Sequence, residues 1–216
     1  MNIYSFYQPL EDWWPSERPL EIIDLWKKSW ESWGWNPVVL GLDDARKHPL
    51  FNELDKVASQ FPSACRSNID RFAMLRWCAF AMAADNGAWF GDYDVLNYGF
   101  MPYNPGRPVT LCSRPTTFAI SFAYRKQLDK FVGYFIDYKV RPSDYYDGKP
   151  HVSDMNILFD HMDDWSEEIP IEKPATAEVR WDNAALVHYA GAFRPLDQDR
   201  IQWMKQRPGY CRQNTT

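Results

Sequence analysis

The chain has no close pair of cysteines, no dense run of lysine and arginine, no internal repeat and no low-complexity tract. Each absence removes a class of protein. Cys65, Cys78, Cys112 and Cys211 are scattered, so there is no Cys-x-x-Cys zinc or redox motif, and reduced thiols in a cytoplasmic setting are expected. The formal charge is -5, which disfavours a duplex nucleic acid as partner. No apolar run approaches the roughly 20 residues of a membrane span. The opening MNIYSFYQPLEDWW lacks the basic start and long apolar middle of a signal peptide.

Aromatic residues are abundant instead: 11 Trp, 12 Tyr and 13 Phe in 216 residues. That content rules out a disordered chain and supplies the apolar area of a substantial core. One domain over residues 1–216 is expected, with 205–216 as a tail able to stay mobile. The order of elements begins strand, helix, strand. NIYSF reads as a strand. In PLEIIDLWKKSWESWGW, Ile22, Trp26, Trp30 and Trp33 recur at helical spacing, and Gly34 with Asn36-Pro37 ends the helix. VVLGL is a buried strand, followed by a short polar helix near Asp43 to Arg46. Asn68 to Ala84 is the longest helix, with Phe72, Leu75, Ala79, Met82 and Ala83 on one face. VTLCS and TFAISFA read as strands, RKQLDKFVGYFIDYK as a helix, and VRPSDYYDGKP as a loop. SDMNILFDHM reads as a helix capped by Ser153, and ALVHYAGAF as a strand running into a loop. Alternating strands and helices of this kind predict an α/β layer structure.

NGAWFGDYDVLN, Asn86 to Asn97, raises a chemical question. A turn leads into an apolar strand, and two carboxylates follow one residue apart. Read as an extended chain, Asp92 and Asp94 lie on one side. Two such groups repel each other, so removing one is expected to leave the metal-free fold intact. Together they can share one hard divalent cation with open positions for phosphate oxygens, and α/β sheets present ligands at strand carboxyl ends.

Three stretches extend this pattern. IDRFAMLR, with Asp70 and Arg71, precedes the Asp-x-Asp on the long helix. It resembles the Asp-x-x-Arg-Tyr … Gly-Gly-x-Tyr-x-Asp-x-Asp pattern of GT-A-type glycosyltransferases of the DXD sugar-binding group. HYAGAFRP, His188 to Pro195, resembles the His-x-x-Gly-x-x-Lys-Pro element of the glycogenin-like and lipopolysaccharide galactosyltransferase group, with Arg194 in place of Lys. SDMNILF resembles the Asp-Gln-Asp-x-Leu-Asn element of the same group. Asp154 matches its first Asp, but Met155 stands for Gln and Asn156 for Asp, so the retaining chemistry of that group is not carried over.

The resemblance implies a GT-A-like α/β/α sandwich with a mixed, mostly parallel sheet. It implies metal-dependent transfer of a sugar from a nucleoside diphosphate, a UDP-sugar as first choice, to a glycan hydroxyl. Asp92, Asp94 and His188 would hold Mn2+ (or Mg2+). Asp70, Arg71, Asp92, Gly191 and Arg194 would meet the donor, and Asp154 is the candidate general base on the acceptor hydroxyl; inversion and retention both stay open, with the Met155 departure tilting the expectation to inversion. Two other readings remain open: a module that binds nucleotide-sugar without turnover, and a haloacid-dehalogenase-type phosphatase. The latter is disfavoured because Leu96 stands where that class expects Thr or Val.

Overall fold

A computed structural model describes residues 1–10, 18–63, 68–111, 120–146, 148–169, 171–172, 185–189 and 200–205. In chain order the elements are β1 (Asn2–Phe6), α1 (Pro19–Glu31), β2 (Asn36–Leu40), α2 (Leu42–Ala45), α3 (Phe51–Ala58), α4 (Ile69–Ala83), β3 (Ala88–Gly91), β4 (Val95–Asn97) and β5 (Val109–Leu111). They continue with β6 (Ile120–Ala123), α5 (Arg125–Asp137), β7 (Tyr145–Tyr146), β8 (Lys149–Pro150), α6 (Asp154–Asp160), α7 (Met162–Ser166), β9 (Ile171–Glu172), β10 (Leu186–His188) and α8 (Arg200–Lys205).

The central sheet has the order β2-β1-β3-β6-β5-β9. β1 pairs in parallel with both β2 and β3, and β5 in parallel with β9, whereas β6 runs antiparallel to β3 and β5. This is the mixed, mostly parallel sheet expected. Side chains alternate across it, as strand geometry requires. In β3, Trp89 enters one half of the core, and Ala88 and Phe90 enter the other. The Trp89 side is covered by α1 through Ile22, Trp26 and Trp30, by the β4–β10 pair, and by Ile201, Trp203 and Met204 of α8. The opposite side is covered by α4 and α5, with α2, α3 and α6 around them.

Several expectations change in detail. The buried residues of α4 include Met74, Leu75, Trp77, Cys78, Ala79, Phe80 and Ala81, while Phe72, Met82 and Ala83 are half-buried. A helix packed against the sheet and four other helices has no single apolar stripe, so the periodicity misplaced the face. The stretch read as a loop before α6 contains the β7–β8 ladder. Neither α3 nor α7 nor α8 was expected; in α3 only Phe51, Leu54 and Ala58 are buried, over two turns, too short a run for a period to stand out. Ser153 caps α6 as expected, its Oγ accepting from the Asn156 backbone N–H. Cys78 is buried, and desolvation pushes its thiol up to about 12. Among the described residues, no helix is long and apolar enough to cross a membrane.

The turn between α4 and β3 aims the acidic segment. Gly87 has φ 81, and a Cβ there would sit 2.5 Å from Phe122 Cζ and 2.9 Å from Tyr124 Cε1. Both the left-handed backbone and the two aromatic neighbours, Phe122 on β6 and Tyr124 just after it, exclude a side chain. Gly87→Ala is expected to lower unfolding free energy by about 2 kcal/mol or more, read from urea melts.

Candidate active site

The two aspartates follow β3 directly, at the edge of the sheet where β1 and β2 also end. They do not lie on an extended chain. Val95 N–H donates to the Asp92 carbonyl at 3.1 Å, and the four residues from Asp92 to Val95 form a turn. In this turn the two carboxylates lie close together, which corrects the reading from strand alternation.

β4 then carries the chain away, and β10 pairs with it antiparallel. In that register His188 lies opposite Val95, and Tyr189 N–H donates to the Asp94 carbonyl at 2.9 Å. His188 Nε2 thereby comes to 3.3 Å from Asp94 Oδ1. Asp92, Asp94 and His188 each offer one ligand atom, and these atoms all lie within 4.8 Å of one another. The three residues that the sequence pattern grouped are therefore brought together. The indole N–H of Trp30 fixes the start of β4 from behind, donating to the Val95 carbonyl at 2.9 Å.

Two arginines occupy the other side of the cluster. Arg76 of α4 donates from Nη1 to Asp92 Oδ1 at 2.7 Å and from Nη2 to Asp154 Oδ2 at 2.8 Å. Arg200 of α8 donates from Nη2 to Asp94 Oδ2 and from Nε to the Tyr189 carbonyl at 2.9 Å. Each aspartate thus has one oxygen held by a guanidinium. Asp94 Oδ1 is buried and accepts no well-directed hydrogen bond.

The protonation behaviour follows from these contacts. Burial raises the Asp94 carboxyl, but His188 and Arg200 outweigh it and hold the group below the usual carboxylate range. Asp92 is shifted upward, by desolvation first and by the Asp94 charge, against the pull of Arg76. For His188, burial disfavours the imidazolium, but Asp94 and then Asp92 prevail and raise it. Burial likewise opposes the charge on Arg76, and Asp154 and Asp92 more than compensate.

Asp154, expected as a general base, reaches the site's edge with donors already in place. Its side chain is 4% exposed. Oδ2 accepts from Arg76 and from Trp77 Nε1 at 3.0 Å, and Oδ1 from the Met155 backbone N–H at 2.9 Å. A carboxylate with these donors in place, and little water, is a poor acceptor for a substrate proton. Its geometry is that of a positioning residue for Arg76. Arg71 is not brought to the acidic pair. It makes a bidentate pair with Asp55 of α3, Nε to Oδ1 at 2.7 Å and Nη2 to Oδ2 at 2.8 Å. Asp70 lies beside it at the start of α4, accepting from Ser63 Oγ and facing His151 Nδ1 at 3.5 Å. Gly191 and Arg194 lie outside the described residues, as does the tail beyond Lys205.

Arg76 and Arg200 were missed. Counting back from the turn does not find Arg76, since five residues of strand span about as much as eleven of helix; its place beside Asp92 depends on how α4 packs against the end of β3. For Arg200 there was no local signal, because the contact depends on where α8 packs.

The cluster fits a divalent cation on its own donor chemistry. It offers two carboxylates and one imidazole, a mixed oxygen and nitrogen set, with one buried carboxylate oxygen that accepts no well-directed hydrogen bond. No protein-family model matches the sequence, and no curated protein matches it. The crystal structure of a glycosyltransferase involved in the glycosylation of the major capsid of PBCV-1 superposes with a TM-score of 0.53 at 13% identity, over 94% of this chain and 97% of that one. This chain shares the fold of that glycosyltransferase. At that identity no residue role is carried across, and the site stands on its own geometry.

The arginine pairs reverse one expectation. Loss of Asp94 does not merely relieve repulsion; it removes the carboxylate that accepts from Arg200, whose side chain is 10% exposed. Asp94→Ala is expected to destabilise the metal-free protein by about 3 kcal/mol, measured by urea unfolding near neutral pH. Because the folded Asp94 carboxyl is depressed, its contribution is complete above the ordinary value of about 3.9 and fades as pH falls through the depressed one. His188 has the opposite sign. With its folded value raised, its contribution is complete below about 6.5 and is lost as pH rises through the raised value. Metal-free protein should therefore lose stability on the alkaline side of pH 6.5 or so, and His188→Gln should flatten that limb in pH-series melts.

Proposed function

We propose that this protein is a cation-dependent glycosyltransferase that takes a sugar from a nucleoside diphosphate and passes it to a hydroxyl of a glycan or glycoconjugate. The observation that carries the reading is the convergence of Asp92, Asp94 and His188 at the end of β3, within a fold shared with a glycosyltransferase. In this reading Asp92, Asp94 and His188 hold the cation, and Mn2+ is favoured over Mg2+ because imidazole is a softer donor than oxygen. The cation supplies positive charge against the diphosphate as it leaves the sugar.

The chain's own residues do the rest. Arg76 and Arg200 orient the two carboxylates so that each keeps an oxygen for the cation. Asp154 and Trp77 fix Arg76 in turn. Arg194, six residues beyond His188 in sequence, is the candidate contact to the diphosphate, since its planar fork suits phosphate oxygens. With Asp154 assigned to positioning, the inverting outcome loses its basis, and the stereochemistry is left to the anomeric configuration of the product.

Thermal shift with UDP is the direct test. UDP should raise the melting temperature more with Mn2+ than without it, since a ligand at 100 times its Kd stabilises by about 2.7 kcal/mol. Mn2+-dependent release of UDP from a UDP-sugar then separates a transferase from a module that only binds. Asp154→Asn distinguishes its two roles. As a positioning residue, its change should weaken Mn2+-UDP binding together with the rate. Undiminished donor affinity with a rate down by roughly 100-fold would restore it as general base.

A further inference from the structure

Large apolar side chains stand exposed together in one short stretch: Val140, Tyr145, Tyr146, Met155 and Phe159. The other exposed large apolar side chains among the described residues are spread over residues 1–103. The stretch is tied down. Asp144, directly before Tyr145, is buried and accepts from Tyr138 Oη at 3.0 Å and from the Arg141 backbone N–H at 2.5 Å. His151 N–H donates to the Asp144 carbonyl at 2.9 Å. Arg141 Nη2 reaches Asp144 Oδ1 at 3.2 Å and also Asp160 Oδ2, next to Phe159, at 2.7 Å. One guanidinium therefore draws the β7–β8 hairpin against α6, and the exposed aromatics sit on fixed supports.

This surface begins at the candidate active site. The Tyr146 ring lies 5.4 Å, centroid to centroid, from that of His151, and His151 stands three positions before Asp154. The Met155 backbone N–H donates to Asp154 Oδ1, and Arg76 joins Asp154 to Asp92. On α6, Ile157 and Leu158 are buried, while Met155 and Phe159, four residues apart, share the solvent face. Phe159 lies about 7 Å further along the helix than Asp154. Clustered exposed apolar area of this kind, interrupted by charges, marks a place where a ligand or partner docks.

The make-up of the patch selects its occupant. A formal charge of -5 opposes approach to an anionic lipid surface. The Arg141–Asp160 ion pair crosses the patch with side chains 47% and 26% exposed, and a second copy seated there would bury both charges at a desolvation cost. A sugar ring has an apolar C–H face and a rim of hydroxyls. It can stack on an aromatic face and keep Arg141 and Asp160 hydrogen-bonded. We infer that the surface formed by β7–β8 and α6 seats an oligosaccharide acceptor, with Tyr146 and Phe159 stacking on sugar units beyond the one that receives the transferred sugar. This rests on the glycosyl-transfer reading of the neighbouring site and adds the size of the acceptor. A single sugar at the Asp92–Arg76–Asp154 end would leave Phe159 uncovered.

Binding of the full chain to a printed array of defined mono- to hexasaccharides, with and without Mn2+ and UDP, tests it. Wild type should bind one or more oligosaccharides at least roughly tenfold more tightly than their component monosaccharides, the scale of one added aromatic contact. Tyr146→Ala and Phe159→Ser should each lose roughly tenfold on those oligosaccharides. Both side chains are more than half exposed, so each variant should keep the wild-type melting temperature and its rise with Mn2+ and UDP. Folded variants that bind the array as wild type does overturn the inference, as does a wild type that binds nothing on it in either condition. A dimer in sedimentation that Phe159→Ser dissolves would assign the patch to self-association and overturn it as well. Binding to phosphatidylglycerol vesicles that the same variant loses would overturn it in favour of a membrane. A wild-type melting temperature that does not respond to Mn2+ and UDP is a separate result. It removes the glycosyl-transfer reading, while the array still decides what the patch binds.

Discussion

Arg76 holds Asp92 with one guanidinium nitrogen and Asp154 with the other, and the arrangement of the cleft depends on that bridge. Carboxylates drawn out of water need positive partners, and several kcal/mol are at stake for each one left without. α4 delivers the guanidinium from the middle of a helix packed on all sides, so the charge arrives on a rigid support. Asp92 comes from the sheet and Asp154 from the first turn of α6. One side chain therefore ties three elements together at the edge where ligands meet α/β sheets. Arg200 performs the matching task for Asp94 from the far end of the described chain.

The aromatic residues serve this arrangement from inside the core. Trp30, Trp35 and Trp89 pack against one another and Phe100, yet each indole N–H reaches a backbone carbonyl in the segment after the aspartates: Val95, Phe100 and Tyr103. Trp77 does the same with the Asp154 carboxylate. An indole has an apolar body and a single polar edge, so it can be buried at no cost only where an acceptor waits. Here two of the acceptors, Phe100 and Tyr103, lie in the irregular stretch after β4, and the core thereby fixes backbone that has few regular hydrogen bonds of its own.

Much of the frame was legible beforehand. Helical spacing in α1, the Ser153 cap of α6 and the alternation of strands and helices each reflect local geometry repeated within one element. The cluster of Asp92, Asp94 and His188 was legible through spaced motifs. Where the reading failed, the cause was consistently non-local. The stripe on α4 was misplaced because partners on several sides decide which residues are buried. Arg76 was not singled out, because its contact with Asp92 comes from the packing of α4 against the end of β3. The burial and the donors that bear on Asp154 as a base come from α4 and from its own helix start.

By itself, the sequence determined which residues can form helices and strands, where the chain turns at Gly87, and which side chains have the chemistry to hold a cation. Those properties belong to each residue and its near neighbours. The tertiary structure alone decided that the aspartates sit in a turn, that β10 pairs with β4 in the register that sets His188 against Asp94, and that Arg76 and Arg200 neutralise the pair. Electrostatic energy depends on distance in space, which strand pairing and helix packing set, and separation along the chain does not encode it.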